Sequence, residues 1–358
     1  MTGLYDWLTL HADSLDQSEE LADQVMPALA AQGCFLAGVP SHLGGSGGDV
    51  RDAIDGIAEV ARHSLTAAFV YWGQRSFIEY LLQSPNAALR ERLLPELMAG
   101  TLAGATGLSN AMKFLSGMEP LQIDASPAKE SGNWTLNGKL AWITNLRPQR
   151  FVAAAAVAPV NGAPAAVVAF ASDAGGVQRS ANLQLIAMRG SNTAAVRLEG
   201  VAVPPENIIS SQAPEWLPRV RPAFLGMQCG MSIGLARAGL DHAARTLDNG
   251  AKGRGQLGER IAAARDALTL HTQHLLDGVA DGRFVADAPT LFKLRIALAD
   301  LVQQALTLEL HAKGGHAYLE QEQDGFARRW REAAFIPVIT PSITQLQAAL
   351  DKHAASTK

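Results

Sequence analysis

Cysteine is nearly absent: 358 residues hold two, Cys34 and Cys229, far apart and without metal-ligand spacing around either. That excludes a disulfide scaffold and a cysteine metal centre, and predicts buried structural thiols in a reducing, cytoplasmic setting. Positive charge is not in excess either; the formal net charge is −4. A nucleic-acid surface or an anionic-membrane partner is therefore not expected. Long apolar runs are missing. The longest, residues 151–170, is alanine-rich and broken by Pro159, Asn161, Gly162 and Pro164, so it does not read as a membrane-spanning helix. The first fourteen residues mix Asp6, Trp7, His11 and Asp13 and carry no secretory signal pattern.

Apolar content, in contrast, is ample. At 48% hydrophobic residues the chain has material for a large core and for more than one domain. Three stretches differ in texture. Residues 1–103 read as a helical domain, with Leu21, Val25, Met26 and Leu29, then Ile54, Ile57, Ala58 and Ala61, at helical spacing. The glycine cluster from Pro40 to Gly48 lacks the Gly-Lys-Ser/Thr ending of a phosphate loop and reads as a tight turn.

Residues 104–212 change to strand patterns. Asn137-Gly138 between residues 133–136 and 139–144 predicts a hairpin turn, and Asn161-Gly162 separates two further apolar runs. A run from Thr193 to Val203 ends at Pro204-Pro205. This stretch is expected to form a mostly antiparallel barrel or sandwich. Residues 213–358 return to long helical patterns, over 225–248, 259–278 and 288–313, with a Gly314-Gly315 break and a last helix near 343–353. Such helices usually pack as a bundle. The fold class is thus α+β, in the order helical domain, β domain, helical bundle.

That order and several local sequences resemble the acyl-CoA dehydrogenase family across nearly the whole chain. The segment Gly38 to Gly47, followed by Glu59 in a helix, is similar to the family's first-domain loop. Asn137 to Asn145 resembles its Asn-Gly-x-Lys-x-Trp-Ile-Thr-Asn strand, and Met188-Arg189-Gly190-Ser191 and Val203-Pro204-Pro205-Glu206-Asn207 fit its Arg-Gly-Ser and Val-Pro-x-Glu-Asn signatures. In the bundle, Arg254 to Gly258 follows its Arg-x-x-Phe-Gly pattern, and Gly314 to Tyr318 its Gly-Gly-x-Gly-Tyr loop with Ala317 for the second glycine.

The resemblance implies an FAD-dependent oxidoreductase that dehydrogenates an acyl thioester at its α,β carbons. It implies FAD contacts from Thr106, Ser109, Trp142, Ile143 and Thr144, and from Arg254, Gly314 and Gly315 to the diphosphate of an FAD held by a neighbouring subunit. A homo-oligomer, dimer or tetramer, follows from that last point. Ser116 and Arg221 would meet the substrate, and an electron-transfer flavoprotein or a flavin reductase would be the redox partner. Strand alternation is expected to put Leu140, Trp142 and Thr144 on one face. No metal is implied.

Acyl thioester dehydrogenation needs a base for the α proton, commonly a carboxylate in a dry pocket. The family's glutamate follows an Arg-Asp-Ala motif, approximated here by Arg331-Glu332-Ala333, and the aligned position is Thr340 or Pro341. Neither is a base. Its alternative place, near Arg221 to Gly226, has no acid either. Glu215 and His316 are the remaining candidates, and Glu332 reads as a structural acid. Three functions stay open: a dehydrogenase with a relocated base, a reduced-flavin monooxygenase on the same fold, and a non-catalytic flavin- or acyl-binding relative.

Overall fold

The computed structural model describes residues 3–115, 117, 119–128, 133–248, 255–319 and 324–356. Ser116 and Arg254 lie outside the described residues. Five helices open the chain: α1 (Leu4–Gln17), α2 (Ala22–Ala31), α3 (Val50–His63), α4 (Leu65–Leu82) and α5 (Ala87–Met98). Helix α3 starts at a capping box in which Asp49 accepts from the backbone of Arg51 and Asp52 answers to the backbone of Asp49. Helix α4 is buried on every side, polar residues included. Inside it Arg75 pairs with Glu79 at 2.9 Å and donates to the carbonyls of Ala37 and Gly38, which pins the glycine-rich turn, whereas the buried Thr66 and Ser76 hydroxyls have no partner among the described residues. That turn approaches the next helix so closely that a Cβ on Gly38 would lie 2.1 Å from the Asp49 carbonyl oxygen.

An eight-stranded sheet follows, with a short helix α6 (Ser109–Leu115) after its first strand. The strands are β1 (Ala103–Thr106), β2 (Ile123–Pro127), β3 (Trp134–Ile143), β4 (Phe151–Pro159), β5 (Ala166–Ala171), β6 (Val177–Asn182), β7 (Ala194–Val203) and β8 (Ile208–Ser210). They lie in the order β6-β7-β3-β2-β4-β5-β8, with β1 beside β4. Pairing is antiparallel except for β1–β4 and β2–β4, which are parallel.

Asn137-Gly138 does not form the expected turn: both residues lie inside the single strand β3. The reason is a bulge in the partner strand. Gly200, with φ of +68°, is skipped between the Leu136–Val201 and Asn137–Glu199 pairs, and its N–H donates to the Asn137 side chain at 2.8 Å. Gly138 passes so close to β2 that a Cβ would sit 2.2 Å from the Gln122 carbonyl oxygen. Asparagine and glycine serve an irregular strand crossing here.

The remaining helices are α7 (Ala213–Asp248), α8 (Leu257–Ala280), α9 (Ala288–Lys313), α10 (Phe326–Ala333) and α11 (Ile343–Ser356). Helix α7 begins at Ala213 rather than Leu225 and runs through Pro218 and Pro222. Helix α10 was not foreseen; it is short and strongly charged, yet Arg328, Arg329 and Glu332 are buried in it. Helices α7 and α3 pack closely through Gly226, Gly230 and Gly234, each spaced one turn apart. The buried apolar residues of both helical regions and the sheet form one continuous core. No helix among the described residues is long and apolar enough to cross a membrane.

Candidate functional site

Where the end of β3 meets α4 and the segment after α10, the chain encloses a cavity of about 460 Å³, within the range usual for small-molecule and cofactor sites. Thr106, Ser109, Trp142 and Thr144, expected from the sequence, all line it. A second bulge, between Leu140 and Ile143, sets the end of β3. It breaks the expected alternation: Leu140 and Ile143 are buried in the core, while Trp142 is 64% exposed and lines the cavity with Thr144. Ile143 therefore offers no side chain to the site.

Buried polar groups hold these residues in place. The Thr106 and Tyr80 hydroxyls share a hydrogen bond of 2.7 Å, and the Thr144 hydroxyl donates to the Ser191 carbonyl at 3.2 Å. Next to Thr144, Asn145 takes the left-handed conformation (φ +59°) and donates to the Gln74 side chain and the Gly104 carbonyl, both at 2.9 Å. Gln74 in turn donates to the Leu97 and Leu102 carbonyls, tying α4, β1 and β3 together. The Asn145 side-chain oxygen is buried without a partner among the described residues; the other bonds of this network tie the wall together.

Aromatic and aliphatic side chains form the opposite wall. Phe69 stacks on Trp72 at 5.6 Å and meets Phe335 edge-on at 4.7 Å; Trp72 donates to the Phe224 carbonyl at 3.3 Å. Val338, Ile339 and Thr340 continue this wall after α10. Of the two positions expected to correspond to the glutamate, Thr340 lines the cavity and Pro341 does not. The Thr340 carbonyl accepts from Gln228 at 3.1 Å, and the fully buried Arg295 donates to Gln228 at 2.9 Å and to the Ile336 carbonyl at 2.7 Å.

Among the described residues that line the cavity there is no carboxylate, imidazole, thiol or phenol; the ionisable ones are Lys113 and Arg331. Glu215 is exposed in the first turn of α7, and His316 is exposed in the turn after α9; neither lines the cavity. Arg221 is not in the lining either: its guanidinium lies 5.5 Å from the Phe292 ring centre, on α9, and burial lowers its pKa. Gly314 belongs to a different, open hollow of about 590 Å³ with Gln256, Leu257, Arg260, Leu310 and His311, and Gly315 is exposed beside it.

One feature, Asp16, escaped the sequence reading. Asp16 of α1, fully buried, accepts from the Met188 backbone N–H at 2.9 Å and from Arg331 Nε and Nη2 at 2.9 and 2.7 Å. It joins the two lips of the cavity, Leu185–Met188 and Arg331. Glu332, beside Arg331, accepts from the Leu65 N–H at 3.1 Å at the start of α4 and pairs with Arg328 at 2.8 Å. Burial pushes its pKa up to about 7, against the opposing pull of Arg328. The structural role expected for Glu332 agrees with this position.

A cluster of His242, Glu309 and Asp324 has ligand atoms within 4.8 Å of one another. Arg329 and Lys313 already engage its two carboxylates, and burial with the surrounding cations pushes His242 down to about 3. The cluster is an ion-pair knot.

The cavity's fit to a flavin can be read from its surfaces. Trp142, Ile186 and Val338 present apolar faces that are 64%, 79% and 61% exposed around the opening. The hydroxyl-bearing residues Thr106, Ser109 and Thr144 line the same space. A flat ring system with a hydrogen-bonding edge complements that set.

Residues 6–101 match the family described as acyl-CoA dehydrogenase, N-terminal domain. Isovaleryl-CoA dehydrogenase of Pongo abelii is 27% identical over 216 residues, 58% of this chain and 50% of that protein. In the curated isovaleryl-CoA dehydrogenases the match spans about half of their length. Butyryl-CoA dehydrogenase of Megasphaera elsdenii superposes over 98% of this chain and 94% of its own, with TM-score 0.77 and 19% identity. KijD3, solved with FMN and a dTDP-linked amino keto sugar, covers 99% and 92% with TM-score 0.80 and 19% identity. The dibenzothiophene monooxygenase TdsC of Paenibacillus sp. A11-2 covers 99% and 96%, with TM-score 0.77 and 15% identity.

Proposed function

From a chain that carries the acyl-CoA dehydrogenase N-terminal domain and shares that family's fold, we propose a flavin-dependent oxidoreductase, using FAD, that acts without a protein carboxylate base. A bound flavin supplies a two-electron acceptor when oxidised and electrons for dioxygen when reduced. This chain's residues do the rest. Trp142 covers a ring face, and the hydroxyls of Thr106, Ser109 and Thr144 serve its polar edge. Phe69, Trp72 and Phe335 exclude water from the substrate side. The hollow at Gly314 and His311 receives the nucleotide end of an FAD from a neighbouring subunit in a dimer or tetramer.

One observation carries the choice of chemistry: the described lining of the cavity, Thr340 included, has no group that takes a carbon-bound proton at neutral pH. Monooxygenation with flavin reduced by a partner reductase asks for no such base, so it is the favoured reading. A second reading, α,β-dehydrogenation of an acyl thioester with an electron-transfer flavoprotein as acceptor, is supported by the isovaleryl-CoA dehydrogenase relatives.

Anaerobic addition of isovaleryl-CoA to the FAD-loaded protein separates the two. The favoured reading expects no bleaching, with oxygen consumption and substrate oxidation when a flavin reductase and NADH are supplied. Bleaching by the thioester alone would overturn it. Thr340→Glu places a carboxylate in the same cavity and is expected to install bleaching that the parent lacks. A folded protein that takes up neither FAD nor FMN would end both readings.

A further inference from the structure

Arg331 is the one arginine among the described residues that line the cavity, and its setting is specific. Its Nε and Nη2 both donate to one oxygen of Asp16, so Nη1 has no partner among the described residues. Asp16 is fully buried and its other oxygen accepts the Met188 N–H. The carboxylate therefore holds the guanidinium in a fixed orientation from behind, outside the cavity, while the side chain stays 32% exposed. Lys113 also lines the cavity, and its counter-ion Glu119, 2.8 Å away, is not in the lining. The remaining lining residues with polar side chains are Thr106, Ser109, Thr144, Thr193, Thr340, Trp72 and Trp142. Two cationic residues, each ion-paired to a carboxylate outside the lining, therefore border the space, and no carboxylate does. A cationic ligand is disfavoured; an anionic group is complementary, and a guanidinium edge suits planar oxyanions. The rest of the wall is apolar and partly aromatic.

We propose that the cavity takes an organic anion, a branched or aromatic body with a carboxylate or similar oxyanion head, whose head Arg331 receives and whose body lies against Phe69, Trp72 and Phe335. Arg331 is the specificity-determining residue and Asp16 its positioning residue. This rests on the flavin-oxidoreductase reading of the same cavity and names its substrate class.

The test uses titration calorimetry on the FAD-loaded full chain with matched probes, 4-methylbenzoate against 4-methylbenzamide and isovalerate against isovaleramide. At least one acid is expected to bind about tenfold or more tightly than its amide, the scale of a charge-assisted hydrogen bond. The preference should shrink as salt is raised. Arg331→Gln is expected to bring acid and amide to near parity with FAD uptake unchanged. If that variant folds poorly because Asp16 is left uncompensated, Asp16→Asn combined with Arg331→Gln removes both charges and should show the same parity. Equal binding of acid and amide by the parent protein would overturn the proposal. So would the failure of both acids to bind, binding of free coenzyme A without binding of either acid, or loss of FAD uptake in Arg331→Gln, which would assign the guanidinium to the cofactor. A parent protein that takes up no flavin refutes the preceding functional reading, while the acid–amide comparison on the same folded chain still decides this one.

Discussion

Replacing Gly234 with alanine adds one methyl group where α7 crosses α3. That carbon would lie 2.0 Å from the Ala58 carbonyl oxygen, 2.6 Å from Ala61 Cβ and 2.9 Å from the Ala58 carbonyl carbon. A carbon–oxygen contact settles at about 3.3 Å, so the two helices must separate by about 1 Å. None of the obstacles is a flexible side-chain tip. Overpacking commonly costs about 1–3 kcal/mol, and backbone obstacles put this site at the upper end. Alanine's better helix propensity returns up to about 1 kcal/mol. The neighbouring approach at Gly230, where an added Cβ would lie 2.7 Å from the Ile54 carbonyl oxygen, loosens at the same time. A net loss of about 2–3 kcal/mol is expected. Gly239→Ala is the first control: its new methyl meets the tip of Leu306 at 3.1 Å and the Ala305 backbone at 3.3 Å, far looser than 2.0 Å, which leaves stability within about 1 kcal/mol of the parent. Gly258→Ala is the second, with nothing within 4 Å, and should gain about 0.5–1 kcal/mol. Urea unfolding at one protein concentration, with midpoint and slope both reported, measures all three. If Gly234→Ala and Gly239→Ala unfold at the same midpoint, the close helix crossing is not what holds this part of the molecule.

Three further outcomes are expected. Glu332 has a folded pKa of about 7 against an ordinary 4.5, so the folded state binds its proton more tightly than the unfolded chain does. Its contribution is full below pH 4.5 and is lost as pH rises to about 7. The urea midpoint of the parent relative to Glu332→Gln should therefore be higher at pH 5 than at pH 8; an equal difference at both would show that the buried carboxyl titrates normally. Burial pushes both cysteine thiols up to about 12, so iodoacetamide at pH 8 should leave Cys34 and Cys229 unlabelled until urea is added. Labelling of native Cys34 at the rate of a free thiol would contradict its environment. Trp142→Ala removes a side chain that is 64% exposed, so stability should change by less than about 0.5 kcal/mol while FAD uptake weakens about tenfold. Equal FAD affinity would exclude Trp142 from the cofactor's surroundings.

Part of the cavity's lining was visible in the linear chain. Thr106, Ser109, Trp142 and Thr144 were singled out from local motifs, and one cavity gathers them. Within each pair, Thr106 with Ser109 and Trp142 with Thr144, a strand end and its flanking turn keep the residues together, while the packing of the sheet brings the two pairs to one cavity. The opposite wall was not visible. Phe69 and Trp72 read only as residues of a helix, and Asp16 had no distinguishing neighbour. Asp16 and Arg331 are 315 positions apart, a distance at which no spacing rule operates. Arg221, His316 and Glu215 were plausible by position along the chain, and the fold turned them elsewhere.

The sequence by itself determined the order of the helical, strand and helical stretches, because periodicities of 3.6 and 2 record which face of each segment must leave water. It also determined that no carboxylate stands at position 340. Tertiary structure alone decided that Asn137-Gly138 crosses a bulged strand instead of turning, because the partner strand's Gly200 supplies the irregularity. Likewise, only the packed molecule could bring a buried aspartate of the first helix behind an arginine near the end of the chain. Such contacts arise from the simultaneous fit of many surfaces, and no local stretch of residues encodes them.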